Sequence, residues 1–321
     1  MRGFIQRMRQ ALPDASTPEG RARQSKIAAA AVVFSLVLGQ VGTTVLIKTG
    51  VNKESAVITG FLTYTVASLV FWGYSKPRLR ASWSLWWRAL LLGGMYAANV
   101  IASREALGSI PDALMTTVFF FGGPFFVALI RGRSRVTRYV LPTVAIGGVA
   151  LVAKGWHGTF HPASLAWIGV MALNYYVYVT VTSRLKRKYE DGGDDQVNAC
   201  ISLSRIPSVV FLAVLFFRAD GVNATIDLGR NAVVVCVIVG ILSGIGTIIA
   251  NLAWNLGLQE NTHALLQPTR PTLSLFGGWI AGQKPLSASD WLPIALGVTL
   301  VTAAGLGATK AEIRNRQAVK A

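Results

Sequence analysis

The stretch Arg104–Leu114, with the sequence REALGSIPDAL, resembles Asn255–Leu265, with the sequence NLGLQENTHAL, 151 residues later in the chain. The likeness continues downstream, where Tyr139–Pro142 (YVLP) aligns with Asp290–Pro293 (DWLP) at the same offset. A constant spacing between similar stretches is the signature of an internal repeat. The chain is therefore predicted to contain two copies of one structural unit.

The composition indicates what kind of unit is repeated. Hydrophobic residues make up 52% of the 321 positions and charged residues only 14%, whereas soluble domains carry about 25% charged residues. A membrane-spanning helix needs ~20 consecutive, mostly apolar residues. Ten such blocks are present, at 27–48, 55–75, 85–103, 110–130, 136–154, 163–183, 196–217, 232–256, 262–281 and 290–309.

We therefore predict an all-α integral membrane protein with ten transmembrane helices, arranged as two inverted five-helix repeats. The repeats cover 27–154 and 155–309, between a basic tail at 1–26 and a second tail at 310–321. Because five is an odd number, the second copy crosses the membrane in the opposite sense to the first. Inverted repeats around a midplane site are typical of secondary transporters, which work by alternating access.

The distribution of Lys and Arg predicts the orientation. With the amino terminus inside, the cytoplasmic segments hold 21 Lys and Arg residues and the outside loops hold 6. This asymmetry follows the positive-inside rule, so we expect both termini in the cytoplasm of a multi-pass protein of the bacterial inner membrane. It also accounts for the net charge of +17 without a nucleic-acid partner, whose binding surface would lie on one folded face.

Several motifs resemble the EamA-type repeat of the drug/metabolite transporter superfamily. The resemblance rests on prolines within the fourth and ninth spans (Pro124; Pro268 and Pro271) and on LPTVAIGG at 141–148 beside LPIALGV at 292–298. It departs from the family where Arg133 and Gln283 occupy positions that usually carry Glu. The resemblance implies export of amino acids or other small metabolites; the superfamily also includes sugar-nucleotide, phosphometabolite and lipid-linked sugar carriers.

Two deep cations are the first candidates for a binding site. Arg205 is the tenth residue of the seventh span and Arg270 the ninth residue of the ninth span, and no Asp or Glu lies comparably deep. A charged side chain at the bilayer centre costs ~2.5–3.5 kcal/mol and should face a wet interior. Each guanidinium would bind a substrate carboxylate or phosphate, or instead bond carbonyl groups freed by nearby prolines such as Pro207.

Polar residues within the spans extend the candidate site. Gln267 precedes the Pro268–Pro271 interruption, and broken helices next to a charge mark transporter sites. The remaining candidate substrate-binding residues are Asn99, Asn174, Tyr178, Asn251 and Asn255. Instead of binding substrate, each of these side chains could form a hydrogen bond to a neighbouring helix. The glycine pairs Gly240/Gly244 and Gly278/Gly282 have the GxxxG spacing of close helix packing, and Trp83, Trp86 and Trp87 are predicted to lie at a membrane interface.

No enzyme signature, cofactor motif or metal site is predicted. His157 and His161 share a loop that Pro162 interrupts, and no third ligand accompanies them. The function expected is a secondary or facilitative carrier for a small anionic or zwitterionic metabolite, with membrane lipid as its other partner and an oligomeric state that stays open. Two alternatives remain: a flippase for a lipid-linked or phospholipid headgroup, and a non-transporting membrane scaffold.

Overall fold

The computed structural model describes residues 56–109, 135–154, 163–188 and 193–255, together with parts of 23–42 and 289–307. All of these residues are helical except the loop at 75–82 and the turn at 219–220, and none of them is in a strand. The predicted fourth and ninth spans, 110–130 and 262–281, lie outside the described residues, as does the second glycine pair, Gly278/Gly282.

Six helices form the described framework, and each overlaps one predicted span. They are α1 Ala56–Tyr74, α2 Trp83–Ser109, α3 Leu141–Lys154 (preceded by the π-helical turn Val136–Val140), α4 Ala163–Lys188, α5 Gly193–Arg218 and α6 Gly221–Asn255. Shorter apolar helical segments, Lys26–Gly39 and Trp291–Leu300, fall within the predicted first and tenth spans.

Three of the described helices are long and apolar enough to cross a membrane: Val57–Tyr74, Gln196–Arg218 and Thr225–Ala253. Large apolar side chains on α6 are exposed along one stripe, at Val234, Ile238, Ile241 and Ile245. The three- and four-residue spacing places them on one helical face, which suits contact with lipid rather than water. The described chain is thus an all-α membrane protein.

The chain forms two compact units, and each combines segments from both predicted repeats. The first unit contains residues 1–97 and 181–263, and the second contains 98–180 and 264–321. Within the second unit, a side-chain methyl added at Gly307 would lie 2.9 Å from Leu141 Cδ2, so Gly307 lies close against the start of α3.

In the first unit, α1 and α6 run parallel and meet at two glycines. A Cβ atom added at Gly240 would lie 2.7 Å from the Thr63 carbonyl oxygen, and one at Gly244 would lie 3.0 Å from the Ala67 carbonyl oxygen. The helices approach this closely because glycine has no side chain. The prediction that Gly240/Gly244 is a packing motif is confirmed.

Helix α5 runs antiparallel to α1, since contacts pair the start of one with the end of the other. The rings of Phe61 and Phe216 lie 4.6 Å apart, and the Trp72 indole N–H donates to the Ser202 carbonyl oxygen at 3.0 Å. Helix α2 reaches α5 at Gly93, whose carbonyl oxygen accepts a hydrogen bond from the Ser208 hydroxyl at 2.8 Å. Ordinary side chains would not fit at Gly93 either, because an added Cβ would lie 2.6 Å from the Ser204 carbonyl oxygen.

Helix α6 consists of two helical segments joined by a kink at Gly229, which has φ 76° and ψ 163°. The second segment begins next to residue 232, where the hydropathy pattern starts the eighth span, and the first segment precedes the predicted span. Only glycine adopts this conformation readily. The eight residues before the kink form a short helical segment that is too polar for a hydropathy window to include. At the start of this segment, the Asn223 side-chain amide donates a hydrogen bond to the Asp220 carboxylate.

Glycine-to-alanine substitutions should separate packing from helix propensity. Gly240→Ala and Gly244→Ala each add a methyl group that collides with α1, so we expect a loss of roughly 1–3 kcal/mol in stability. Gly94→Ala on α2 meets nothing within 4 Å and should be neutral or slightly stabilising, because alanine favours helix. Thermal unfolding of the three variants in detergent checks this; equal melting temperatures would contradict the packing.

Candidate functional site

Arg205 is the buried cation around which the candidate site is built. It lies in α5 with only 5% of its surface exposed, on the side of the helix that faces α1. Burying an isolated charge is expensive unless its surroundings compensate it. The contacts of its guanidinium therefore decide what the site can bind.

Aromatic rings of α1 supply one part of the compensation. The guanidinium carbon of Arg205 lies 4.4 Å from the ring centre of Phe71 and 5.6 Å from that of Tyr64. Both distances are within the range of cation–π attraction, which contributes ~2 kcal/mol or more when the pair is desolvated. Phe71 is fully buried, so water does not weaken its contact with the cation.

Hydrogen bonding compensates Arg205 only weakly. One terminal nitrogen reaches the Ser68 hydroxyl at 3.4 Å, at the outer limit of a hydrogen bond, and Nε has no partner in the part of the chain that the structure describes. A guanidinium carries five N–H donors and no acceptor. Most of the donor capacity of Arg205 is therefore unused by the described protein.

The serine hydroxyl groups next to Arg205 on α5 bond backbone carbonyl groups rather than the guanidinium. Ser204 donates to the Ile201 carbonyl oxygen at 2.8 Å, and Ser202 donates to the Ser75 carbonyl oxygen at 2.5 Å. The Ser204 bond stays within α5, whereas Ser202 and Ser208 tie α5 to the end of α1, at Ser75, and to α2, at Gly93, through backbone carbonyl groups. They fix the position of the arginine without neutralising it.

No carboxylate pairs with Arg205 among the described residues. The sequence contains no Asp or Glu between Glu54 and Glu105, a stretch that includes all of α1. Nor does α5 contain one between Asp195 and its end at Arg218. The helices that enclose the guanidinium thus leave a net positive charge inside the membrane-spanning part of the protein.

The first unit also contains two of the predicted amides. Asn251 is 4% exposed in α6, and its side-chain nitrogen has no hydrogen-bond partner in the described chain. Asn255 is the last residue of the same helix. Asn251 is thus a second buried donor in this unit with bonding capacity to spare.

The second unit contains the other described candidates. Asn174 and Tyr178 lie one turn apart on α4, and Asn99 lies on α2. The side-chain oxygens of Asn99 and Asn174 are buried and accept no hydrogen bond from any described group. Gln267 and Arg270 are outside the described residues, so their proposed roles stay predictions.

Sequence reasoning missed the residues that contact Arg205. Tyr64, Ser68 and Phe71 are spaced by four and three residues on α1, which puts them on one helical face. That spacing was a usable signal for a shared face. What the sequence could not show was that this face of the second span meets the seventh span at the depth of the arginine.

Comparison with known proteins identifies the fold only. No protein-family model and no curated protein matches the chain. Among solved structures, the chain is similar to one described only as "Crystal structure of protein", with a TM-score of 0.53 and 17% identity over 89% of this chain and 99% of that chain. At this identity the match shows a shared fold over nearly the whole length.

A double-mutant cycle should measure the contact between Arg205 and Phe71. We expect Arg205→Met and Phe71→Leu to show a coupling of about 0.5–2 kcal/mol in unfolding free energy, because each removes one partner of the cation–π pair. Phe61→Leu is the control, since its ring packs on Phe216 and not on the arginine. Coupling no larger than that of the Phe61 control would show that the rings do not compensate the charge.

Proposed function

We propose that the protein is a transmembrane carrier for a small anionic or zwitterionic metabolite, such as an amino acid, and that it works by alternating access. The observation that carries the proposal is Arg205, a buried cation without a carboxylate partner in the described chain. Such a charge is best compensated by an anion that arrives from outside the protein. Arg205 would then bind the carboxylate of the substrate.

The geometry of the guanidinium supports a carboxylate ligand. The guanidinium carbon of Arg205 lies over the ring of Phe71, and the N–H donors of a guanidinium project from the edge of its plane. A planar carboxylate bonds to that edge with two parallel hydrogen bonds, which are shorter and stronger than neutral ones. The unpartnered Nε of Arg205 is one of the donors that such a ligand needs.

The arrangement of α1 and α5 supports the proposed inverted repeat. They correspond to the second and seventh predicted spans, which hold the same place in the two copies. A two-fold axis in the membrane plane requires equivalent helices to run in opposite directions, and α1 and α5 are antiparallel. The parallel directions of α1 and α6 also fit ten spans that cross the membrane in alternating directions. In that arrangement the second and eighth spans would both run from the outside to the cytoplasm.

The composition of the compact units agrees with this architecture. Each unit draws segments from both predicted repeats, as expected when corresponding helices of inverted copies assemble together. In the proposed mechanism the substrate site faces one side of the membrane and then the other. Within the first unit, Asn251 would bond a polar group of the substrate; the roles of Asn99, Asn174 and Arg270 stay predictions from the sequence.

Transport by reconstituted protein tests the role of Arg205. A thermal-shift screen of amino acids, carboxylates, sugars and organic cations first identifies a stabilising ligand, which then serves as the labelled substrate in vesicles. We expect Arg205→Gln to weaken its binding roughly 10- to 100-fold, the effect of losing a charge-assisted hydrogen bond of ~1.5–3 kcal/mol. Arg205→Lys should retain part of the affinity, because it keeps the charge but not the planar edge.

Arg88 offers a matched control within α2. Its terminal nitrogen bonds the carbonyl oxygen and the hydroxyl of Ser84, one turn earlier on the same helix. This arginine is compensated locally, so Arg88→Gln should leave substrate affinity unchanged. Equal transport by wild type and Arg205→Gln, or stabilisation by cations alone, would contradict the proposed function.

A further inference from the structure

The loop between α1 and α2 is basic, exposed and flanked by tryptophans. Lys76, Arg78 and Arg80 all lie on the surface. Trp83 and Trp87, one turn apart at the start of α2, have 76% and 61% of their surfaces exposed. We call these five residues the basic–aromatic rim. It plays no part in the carrier site around Arg205.

The rim continues into a lipid-facing stripe. From Trp83 and Trp87 the same face of α2 proceeds to Leu90 and Leu91, which are 39% and 42% exposed, and the preceding helix α1 carries Leu69 at 59% exposure. Side chains spaced by three or four residues share a helical face. From the loop into α2, the exposed side chains are therefore first cations, then tryptophans, then aliphatic residues. This order matches the headgroup, interfacial and acyl layers of one leaflet.

Several hydrogen bonds hold the loop in place. The Trp86 indole N–H donates to the Leu79 carbonyl oxygen at 3.2 Å, and the Ser82 carbonyl oxygen accepts the Leu85 and Trp86 amides at the start of α2. At the other end, the Ser202 hydroxyl of α5 bonds the Ser75 carbonyl oxygen at 2.5 Å. The cations are thus carried by an anchored loop, which lowers the cost of ordering them around a ligand.

We propose that the basic–aromatic rim binds the headgroups of anionic phospholipids in the adjacent leaflet. The phosphate is held by Lys76, Arg78 and Arg80, and the glycerol region packs against the exposed tryptophans. Charge complementarity favours this occupant, because no Asp or Glu occurs between Glu54 and Glu105 in the sequence. A basic residue beside an anionic surface contributes to binding, and three in one loop act together.

The turn between α5 and α6 provides a control surface in the same unit. Arg218 and Arg230 are also exposed, as are the apolar side chains of Val222 and Ile226. Asp220 and Asp227 lie among them, so the net charge of this region is balanced. A preference for anionic lipid should therefore depend on the rim and not on exposed arginines in general.

Lipid titration of the full-length protein tests the proposal. Purified protein in a non-ionic detergent is titrated with short-chain phosphatidylglycerol or phosphatidylcholine, and its melting temperature is followed. We expect phosphatidylglycerol to give the larger stabilisation. The Lys76→Gln/Arg80→Gln variant should bind phosphatidylglycerol roughly thirtyfold more weakly, the effect of removing two basic residues from an anionic surface. Lys76→Arg/Arg80→Lys should restore binding, and Arg218→Gln/Arg230→Gln should keep it.

Three outcomes would overturn the proposal. Equal stabilisation by the two lipids would show that the cations do not select a headgroup. An undiminished response of the Lys76→Gln/Arg80→Gln variant would place the lipid elsewhere. Equal stabilisation by inorganic phosphate would identify a soluble-anion site rather than a lipid site. If the double glutamine variant does not fold, the comparison of the two lipids on wild-type protein decides.

Discussion

A buried guanidinium that meets no carboxylate among the described residues is the constraint on which the first unit of this protein depends. Arg205 is compensated within the described chain by the rings of Phe71 and Tyr64 and by a long hydrogen bond to Ser68. These contacts offset part of the cost of burying a charge. They leave most N–H donors of Arg205 without a partner among the described residues, which is the observation behind the proposed anion site. For stability alone, well-packed apolar residues at this position would serve as well as a buried charge or better.

Close packing of the surrounding helices holds the Arg205 guanidinium in place. Gly240 and Gly244 let α6 approach the back of α1, and Gly93 lets α2 approach α5. Serine hydroxyls then bond backbone carbonyl groups across these close contacts, as Ser208 does to Gly93. In lipid, where apolar surface gives no drive for helices to associate, small residues and interhelical hydrogen bonds supply it. The glycines thus determine the position of α1, and α1 in turn determines what contacts Arg205.

The features that could be predicted from the sequence are those that follow directly from residence in a membrane. Apolar blocks predicted the helices α1 to α6, and the GxxxG spacing predicted the contact at Gly240 and Gly244. The absence of acidic residues from α1 and from the part of α5 around Arg205 was also readable from the sequence, whereas the depth of Arg205 in the membrane stays a prediction. The kink at Gly229 was not readable, since a hydropathy window responds to apolar length and not to a change of backbone direction. Nor was the pairing of Phe71 with Arg205, which arises from contact between distant spans that no local pattern encodes.

Solvent accessibility at position 205 tests most directly whether the buried cation belongs to an alternating-access site. The chain's two cysteines, Cys200 and Cys236, are free and buried, so both are replaced by alanine and a single thiol is introduced by Arg205→Cys. Membrane-impermeant thiol reagents are then applied to right-side-out and inside-out vesicles. A carrier predicts labelling of this thiol from each side of the membrane. No labelling from either side, with full labelling after denaturation, would show that position 205 is sealed in a static core and would contradict the central claim.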